Sequence, residues 1–256
     1  ACPLLFGVIG LRLVLILFFL LMSNSGGWGM SPVREVTLNA DQIDHEMPLV
    51  SLKTEQLLDL LDLSKVDGVQ DTADRVEAFA ALLDHYRKKY PLEVSKSASG
   101  NFETADKICQ HVIQWGPYEE ADYGAEIDWE WDPRGDIEWV AAVYRFYWAA
   151  PLAQAFAATG DEKYAQAFVD LTVDWIDKHK LETHTKTHPV YTSWKGFVWL
   201  DIQTGIRATN ICSAFRTLVH AEAFTPDFLE LLMTSLYDHQ VKKKHIQKIN
   251  ALFWRW

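Results

Sequence analysis

The sequence predicts an all-α fold, a set of antiparallel helical hairpins, on three observations. Apolar residues recur at helical spacing, most clearly at Tyr164, Phe168, Leu171 and Trp175, which share one helix face. Helix-capping residues separate these segments, and short connections at Gly160 and Phe224 join them as helical hairpins are joined. No stretch shows the convincing period-two alternation of a half-buried strand.

Each element has its own signal. Thr54 opens a helix running through Leu63, with Leu57, Leu58, Leu61 and Leu63 apolar. Asp71-Thr72 opens a second, in which Val76, Phe79, Leu82, Leu83 and Tyr86 keep helical spacing. Lys88 and Lys89 in its last turn suit the helix dipole. Pro91 to Asn101 reads as a loop, and a helix from Ala105 to Gln114 follows. Residues 116–134 are the least regular part. The next helix spans Ile137 to Ala158 with a break or kink at Pro151, ends at Gly160, and hands over to a helix capped by Asp161. His179 to Leu200 is a loop of a length that is usually functional or disordered in a compact domain. Ile202, Ile206, Phe215, Leu218 and Val219 mark another helix. Thr225 caps the last one, with Pro226 at its first position.

The chain has 256 residues, 49% of them hydrophobic, which suffices for one core and falls short of two large domains. A net charge of -11 excludes a broad basic surface for nucleic acid. An acidic polymer would need a local basic cleft. The candidate is Lys178, His179, Lys180, His184, Lys186, His188, Lys195 and Arg207, which read equally as a solvated loop with incidental charge. Cys2, Cys109 and Cys212 are odd in number and widely spaced, so they form neither a disulfide framework nor a zinc motif. Cys109 and Cys212 read as small buried hydrophobes, and a bridge between them in an oxidising compartment stays open.

Arg12, the apolar run from Leu13 to Met22 and the small polar stretch Ser23 to Gly27 read as a secretory signal, cleaved within Ser23–Met30. The rival reading is a membrane anchor from Pro3 to Met22. The expected organisation is therefore a signal or apolar segment over 1–30, a leader over 31–52 and a helical domain over 53–256. A periplasmic or secreted location follows, with no stable membrane span after processing. The chain opens on Ala1, so its true start is expected upstream or at Met22 or Met30.

Tryptophan is abundant, at 11 residues, and sits where helices meet loops. The apolar C–H faces of sugar rings stack on indoles while their edges hydrogen-bond to polar neighbours. Trp129 and Trp131 alternate with Asp128, Glu130 and Asp132, which places both indoles on one side of an extended segment. They either stack on a sugar or pack over helix ends. Arg207 and Asn210 project from one side of a helix, apart from the Ile202/Ile206 stripe. They either grip a sugar carboxylate or sulfate or serve as a structural pair or cap. The substrate-binding candidates are thus Trp129, Trp131, Lys195, Arg207 and Asn210, whereas Tyr164, Phe168 and Trp175 read as core. His184 and His188 have the spacing of helical zinc ligands, but Thr185-Lys186-Thr187 and Pro189 oppose a helix and no third ligand is evident, so no metal is expected. The carboxylates of residues 119–132 offer an acid and a base for glycoside hydrolysis as a rival chemistry.

Six ordered pieces resemble the N-terminal domain of the heparinase II/III family of polysaccharide lyases. They are ALLDHYRKKY (Ala81–Tyr90), IDWEWDP (Ile127–Pro133), GDEKYAQAFVDLTVDWI (Gly160–Ile176), GIRATN (Gly205–Asn210), FTPDFLELL (Phe224–Leu232) and LYDH (Leu236–His239). The resemblance covers most of residues 50–240. It implies an incomplete α/α toroid, a ring of antiparallel helical hairpins, followed by a β-sandwich domain. It implies cleavage of uronate-containing polysaccharide, heparan sulfate-like or alginate-like, by β-elimination. A neutral amide or cation masks the uronate carboxylate, and Tyr or His groups move the protons. In the family the masking Asn follows the LYDH-like helix in a Gly-Asn-His motif, with the catalytic Tyr and His later still. Here Gln240 to Trp256 holds no such motif, and Asn250 lies near the place among unmatched neighbours. No catalytic residue is assigned: the family Asn, Tyr and His are expected beyond the chain end, with the rest of the toroid and the β-sandwich. The chain alone is expected to be inactive and to bind acidic oligosaccharide weakly. An α/α-barrel hydrolase and a non-catalytic glycan-binding fragment are the alternatives. No cofactor is implied.

Overall fold

A computed structural model of the chain describes residues 49–61, 63, 66, 74–92 and 102–253, with side chains as far as residue 244. The 1–30 segment, nearly all of the leader, the Asp71-Thr72 cap, most of the loop after Pro91 and the Asn250 side chain lie outside the described residues.

Two short 3₁₀ turns, Thr54–Gln56 and Leu58–Leu60, stand where one helix from Thr54 was expected. Thr54 lies inside the first turn, and no side chain caps either one. Helix α1 (Arg75–Lys89) starts from Asp74, whose carboxylate accepts the Val76 and Glu77 N–H groups. Val76 is exposed in its first turn, while Phe79, Leu82, Leu83 and Tyr86 are buried as expected. Helix α2 (Glu103–Ile108) is shorter than expected because His111 adopts a left-handed backbone, φ 60°. The chain then forms a small antiparallel ribbon, β1 (Val112–Ile113) with β2 (Ala121–Asp122), in which Val112 faces Asp122 and Ile113 faces Ala121.

The helix expected over 137–158 is two, α3 (Ile137–Tyr144) and α4 (Ala149–Thr159). The break is at Arg145–Trp148, where Phe146 takes φ 59°. Pro151 sits inside the first turn of α4, where a missing N–H breaks no helical bond. Gly160 ends α4 in the left-handed conformation, and the Asp161 carboxylate accepts the Lys163 N–H to start α5 (Glu162–Lys178). The α5 face of Tyr164, Phe168, Leu171 and Trp175 is buried, as its spacing predicts.

The 179–200 loop contains 3₁₀ turns at Leu181–Thr185 and Phe197–Trp199 and a Thr187–Lys195 bridge. Gly196, at φ 64°, lets the chain cross itself: a Cβ there would stand 2.0 Å from the His184 carbonyl oxygen. Gly196→Ala is therefore expected to destabilise the chain by about 2–4 kcal/mol, combining left-handed strain with a backbone clash. An unchanged urea midpoint would contradict this crossing.

Helix α6 (Asp201–Leu218) buries Phe215, Leu218 and the following Val219 as its sequence suggests, but its N-terminal half turns a polar face inward. Ile202 is exposed, and Gln203, Thr204, Arg207, Ile211, Phe215 and Leu218 are buried. Helix α7 (Pro226–Phe253) starts with the Thr225 hydroxyl accepting the Phe228 N–H at 3.2 Å, with Pro226 at its first position. Helix α4 packs against α5 and α6, α6 against α7, and α7 back onto α1, while α2 lies over α4 and α5. The core between these helices holds Trp139, Trp148, Trp175 and Trp199, and with Trp129 five of the eight described tryptophans are internal packing groups. Cys109 is a free thiol, which excludes the Cys109–Cys212 bridge. No described helix is long and apolar enough to cross a membrane.

Candidate functional site

The α3–α4 break organises this side of the molecule. Three residues of α6 hold it. Gln203 Oε1 accepts from Arg145 Nε at 2.6 Å, Arg207 Nη1 donates to the Tyr144 carbonyl at 3.0 Å, and Asn210 Nδ2 donates to the Arg145 carbonyl at 2.7 Å. These positions fall one helical turn apart, on one face. The shared face of Arg207 and Asn210 was thus foreseen, but it grips backbone rather than facing an open cleft.

Arg207 is fully buried. Its Nε donates to His239 Nε2 at 2.7 Å, and Nη1 also reaches the Val198 carbonyl at 3.1 Å. Its guanidinium lies 4.1 Å from the Trp175 ring centroid and 5.2 Å from that of Trp199. Burial pulls its pKa down to about 9, which still leaves it charged at neutral pH. His239 must accept from Arg207, so its proton sits on Nδ1 and is donated to the Ser235 carbonyl. Burial first, and then the Arg207 charge, hold its imidazole well below the ordinary range. Among the described residues, Arg207 Nη2, the Tyr144 hydroxyl and the indole N–H groups of Trp175 and Trp199 are buried with no hydrogen-bond partner.

The two alternating indoles part company. Trp129 is buried against Phe146, Trp148 and His179, and its Nε1 donates to Asp174 at 2.6 Å. Trp131 is exposed and meets the Tyr123 ring edge-on at 5.0 Å. A turn closed by the Trp131 N–H on the Asp128 carbonyl replaces the extended segment that would have aligned them. Lys195 is exposed, and no ion pair to it is formed among the described residues.

The remaining cations do not converge into a cleft. Lys178 pairs with Asp174, Lys180 with Asp177 and Lys186 with Glu130, while His179 and His188 are buried. The 119–132 carboxylates are largely engaged as well. Glu120 meets Lys107, Asp122 and Asp128 accept turn N–H groups, and Asp132 accepts the Arg134 N–H and the Tyr191 hydroxyl. Burial, then the Asp132 contact, pushes Tyr191 up to about 12. His188 Nδ1 accepts the N–H groups of Val190 and Tyr191. His184 lies in a 3₁₀ turn, and no described cluster of three or more His, Cys, Asp or Glu is arranged to hold a metal ion.

A different place gathers accessible aromatic surface. A pocket of about 240 Å³ is lined by Trp115 and Tyr147, with Thr104 and Gln114 at its rim and Ile113 and Val143 beneath. The sequence signal for half of it was present: Trp115 is one of the abundant tryptophans placed where a helix meets a loop. Tyr147 gave none, because it reads as the interior of a continuous helix.

The chain matches the family model described as Heparinase II/III N-terminus over residues 56–254. A heparin-sulfate lyase of Bacteroides stercoris is 30% identical over 212 residues, covering 74% of this chain and 32% of that protein. The heparin-sulfate lyase of Pedobacter heparinus is 29% identical, over 70% of this chain and 28% of that protein. The crystal structure of heparan sulfate lyase HepC from Pedobacter heparinus superposes with a TM-score of 0.57 at 28% identity, covering 70% of this chain and 29% of that one. A heparinase III gene product with methylated lysines gives 0.60 at 25% identity, covering 75% and 33%. The chain spans about a third of the length of the relatives it matches. Its helical hairpins form an incomplete α/α toroid like theirs, and the chain belongs to the heparinase II/III N-terminal family.

Proposed function

We propose that this chain is the toroid portion of an exported polysaccharide lyase that cleaves uronate-containing acidic polysaccharide, heparan sulfate in the first place, by β-elimination. The family match over residues 56–254, with named lyases among the relatives, carries this reading. In such a reaction the proton next to the uronate carboxylate is removed once that charge is masked, and the leaving oxygen is protonated. The chain alone binds glycan without turning it over. His239 and His179 are buried, Tyr191 is tied to Asp132, and His188 uses Nδ1 within its own loop, so these groups are not poised for proton transfer. Engagement of the 119–132 carboxylates in turns and ion pairs disfavours the hydrolase alternative.

The test incubates the gene's full product with heparan sulfate, hyaluronan and alginate. β-Elimination leaves an unsaturated uronate that absorbs in the ultraviolet, and heparan sulfate is expected to give it. New reducing ends without that absorbance establish hydrolysis instead. Turnover by the 256-residue chain alone overturns its assignment as a binding portion.

A further inference from the structure

We propose that the pocket between α2, β1 and the α3–α4 break binds one uncharged pyranose of the N-acetylhexosamine type. The proposal rests on reading the chain as part of a glycan-processing protein and names a sugar site within it. Trp115 and Tyr147 lie parallel within 6°, centroids 6.3 Å apart, and Tyr118 continues the row 6.1 Å from Trp115 at 21°. Tyr147 is 37% exposed, so its ring is open to a ligand. Tyr118 is fixed from behind by its hydroxyl contact to Asp136 and by an edge-on contact with Trp139 at 5.7 Å.

The backbone gives an independent sign. Among the described residues, the two non-glycine residues with left-handed backbones are His111 and Phe146. Each leads into one wall of this pocket: His111 into β1 and the Gln114 and Trp115 that follow it, Phe146 into Tyr147. Such conformations persist only where surrounding contacts impose them, and they cluster at ligand sites. Both are imposed here. His111 Nδ1 is bonded to the Gly124 carbonyl at 2.8 Å, and Tyr144 and Arg145, the two residues before Phe146, are held by Arg207 and Asn210. The α6 clamp therefore has a product: it turns the Tyr147 ring outward beside Trp115.

The lining chooses the ligand. No charged side chain lines the pocket. A uronate or sulfate entering it would lose water without gaining a cation, whereas a neutral ring lays its C–H face on the aromatics. Gln114 Nε2 donates to the Gly116 and Tyr118 carbonyls, which leaves Oε1 to accept an acetamide N–H. Ile108, Ile113, Val143 and Pro151 provide an apolar floor for the acetyl methyl. At about 240 Å³ the space suits one ring.

Titration of the chain with N-acetylglucosamine, followed by tryptophan fluorescence and ligand-observed NMR, should show saturable binding with a Kd on the order of 1 mM. Trp115→Ala and Tyr147→Ala should each weaken it about tenfold, while Tyr147→Phe, which keeps the ring, should stay within about twofold. Thermal melting verifies that each variant folds. Absence of saturable binding by the native chain, equal binding of glucuronate, or binding unaffected by Trp115→Ala overturns the proposal. The ultraviolet lyase assay is independent. Loss of sugar binding with intact lyase activity removes the pocket alone, and the converse removes the lyase reading alone.

Discussion

Arg207→Ala is expected to destabilise the chain by about 3–5 kcal/mol, the range for breaking a buried, hydrogen-bonded charged group. The guanidinium satisfies the Tyr144 and Val198 carbonyls, donates to His239 and fills the space between Trp175 and Trp199. Truncation opens a cavity and leaves those acceptors unpaired at once. At roughly 2–4 °C per kcal/mol for a domain of this size, the melting temperature should fall by about 6–20 °C. Arg207→Lys retains a charge but loses the planar fork, so it should rescue only part of the loss. Melting of Arg207→Ala within about 1 °C of the native chain would return Arg207 to the surface and to a role in gripping substrate.

This residue shows where the sequence was readable. The caps at Gly160-Asp161 and Thr225-Pro226 were legible because each acts through its own backbone and immediate neighbours. The α5 stripe was legible because its buried face is apolar. In α6 the buried face carries the polar Gln203, Thr204 and Arg207: Gln203 accepts from the Arg145 side chain, and Arg207 donates to the Tyr144 and Val198 carbonyls. A rule that equates burial with apolarity finds Phe215, Leu218 and Val219 but misreads the N-terminal half, where Ile202 ends in solvent. The family motif at Gly205–Asn210 was visible. Its physical task was not, because that depends on a break about 60 residues earlier in the chain.

The break itself illustrates the same limit. Neither Gly nor Pro occupies Arg145–Trp148, so no local signal marked it, and the nearby Pro151 drew the expected kink to the wrong place. Tertiary contacts from α6 impose the left-handed Phe146. Trp129 and Trp131 depended on a segment being extended, and a single turn separates their fates. Trp115 stands at a helix–loop junction like other tryptophans of the chain, yet its relation to Tyr147 requires two distant segments to meet.

Acid should weaken this fold well before general acid denaturation. His179 and His239 are buried neutral: burial chiefly lowers His179 from 6.5 to about 3, and His239 falls well below 6.5. The Arg207 charge depresses both further, Lys186 adds to this at His179, and Asp174 and the Trp175 and Ser235 carbonyl contacts oppose it only in part. Below pH 6.5 the unfolded chain binds these protons and the folded chain does not, so stability falls as pH falls. Each such histidine removes about 1.4 kcal/mol per pH unit, hence about 4 kcal/mol for the pair between pH 6.5 and 5. Asp238 acts in the opposite sense. Burial raises it from 3.8 to about 6, so the folded chain takes up its proton first and regains about 1–1.5 kcal/mol by pH 5. The net loss of about 2–3 kcal/mol corresponds to a melting temperature roughly 4–12 °C lower at pH 5 than at pH 7. His239→Gln keeps an acceptor for Arg207 without a titrating group and should remove about half of the two-histidine term, on the order of 2 kcal/mol. Equal melting at the two pH values would mean that neither imidazole is held neutral in the core.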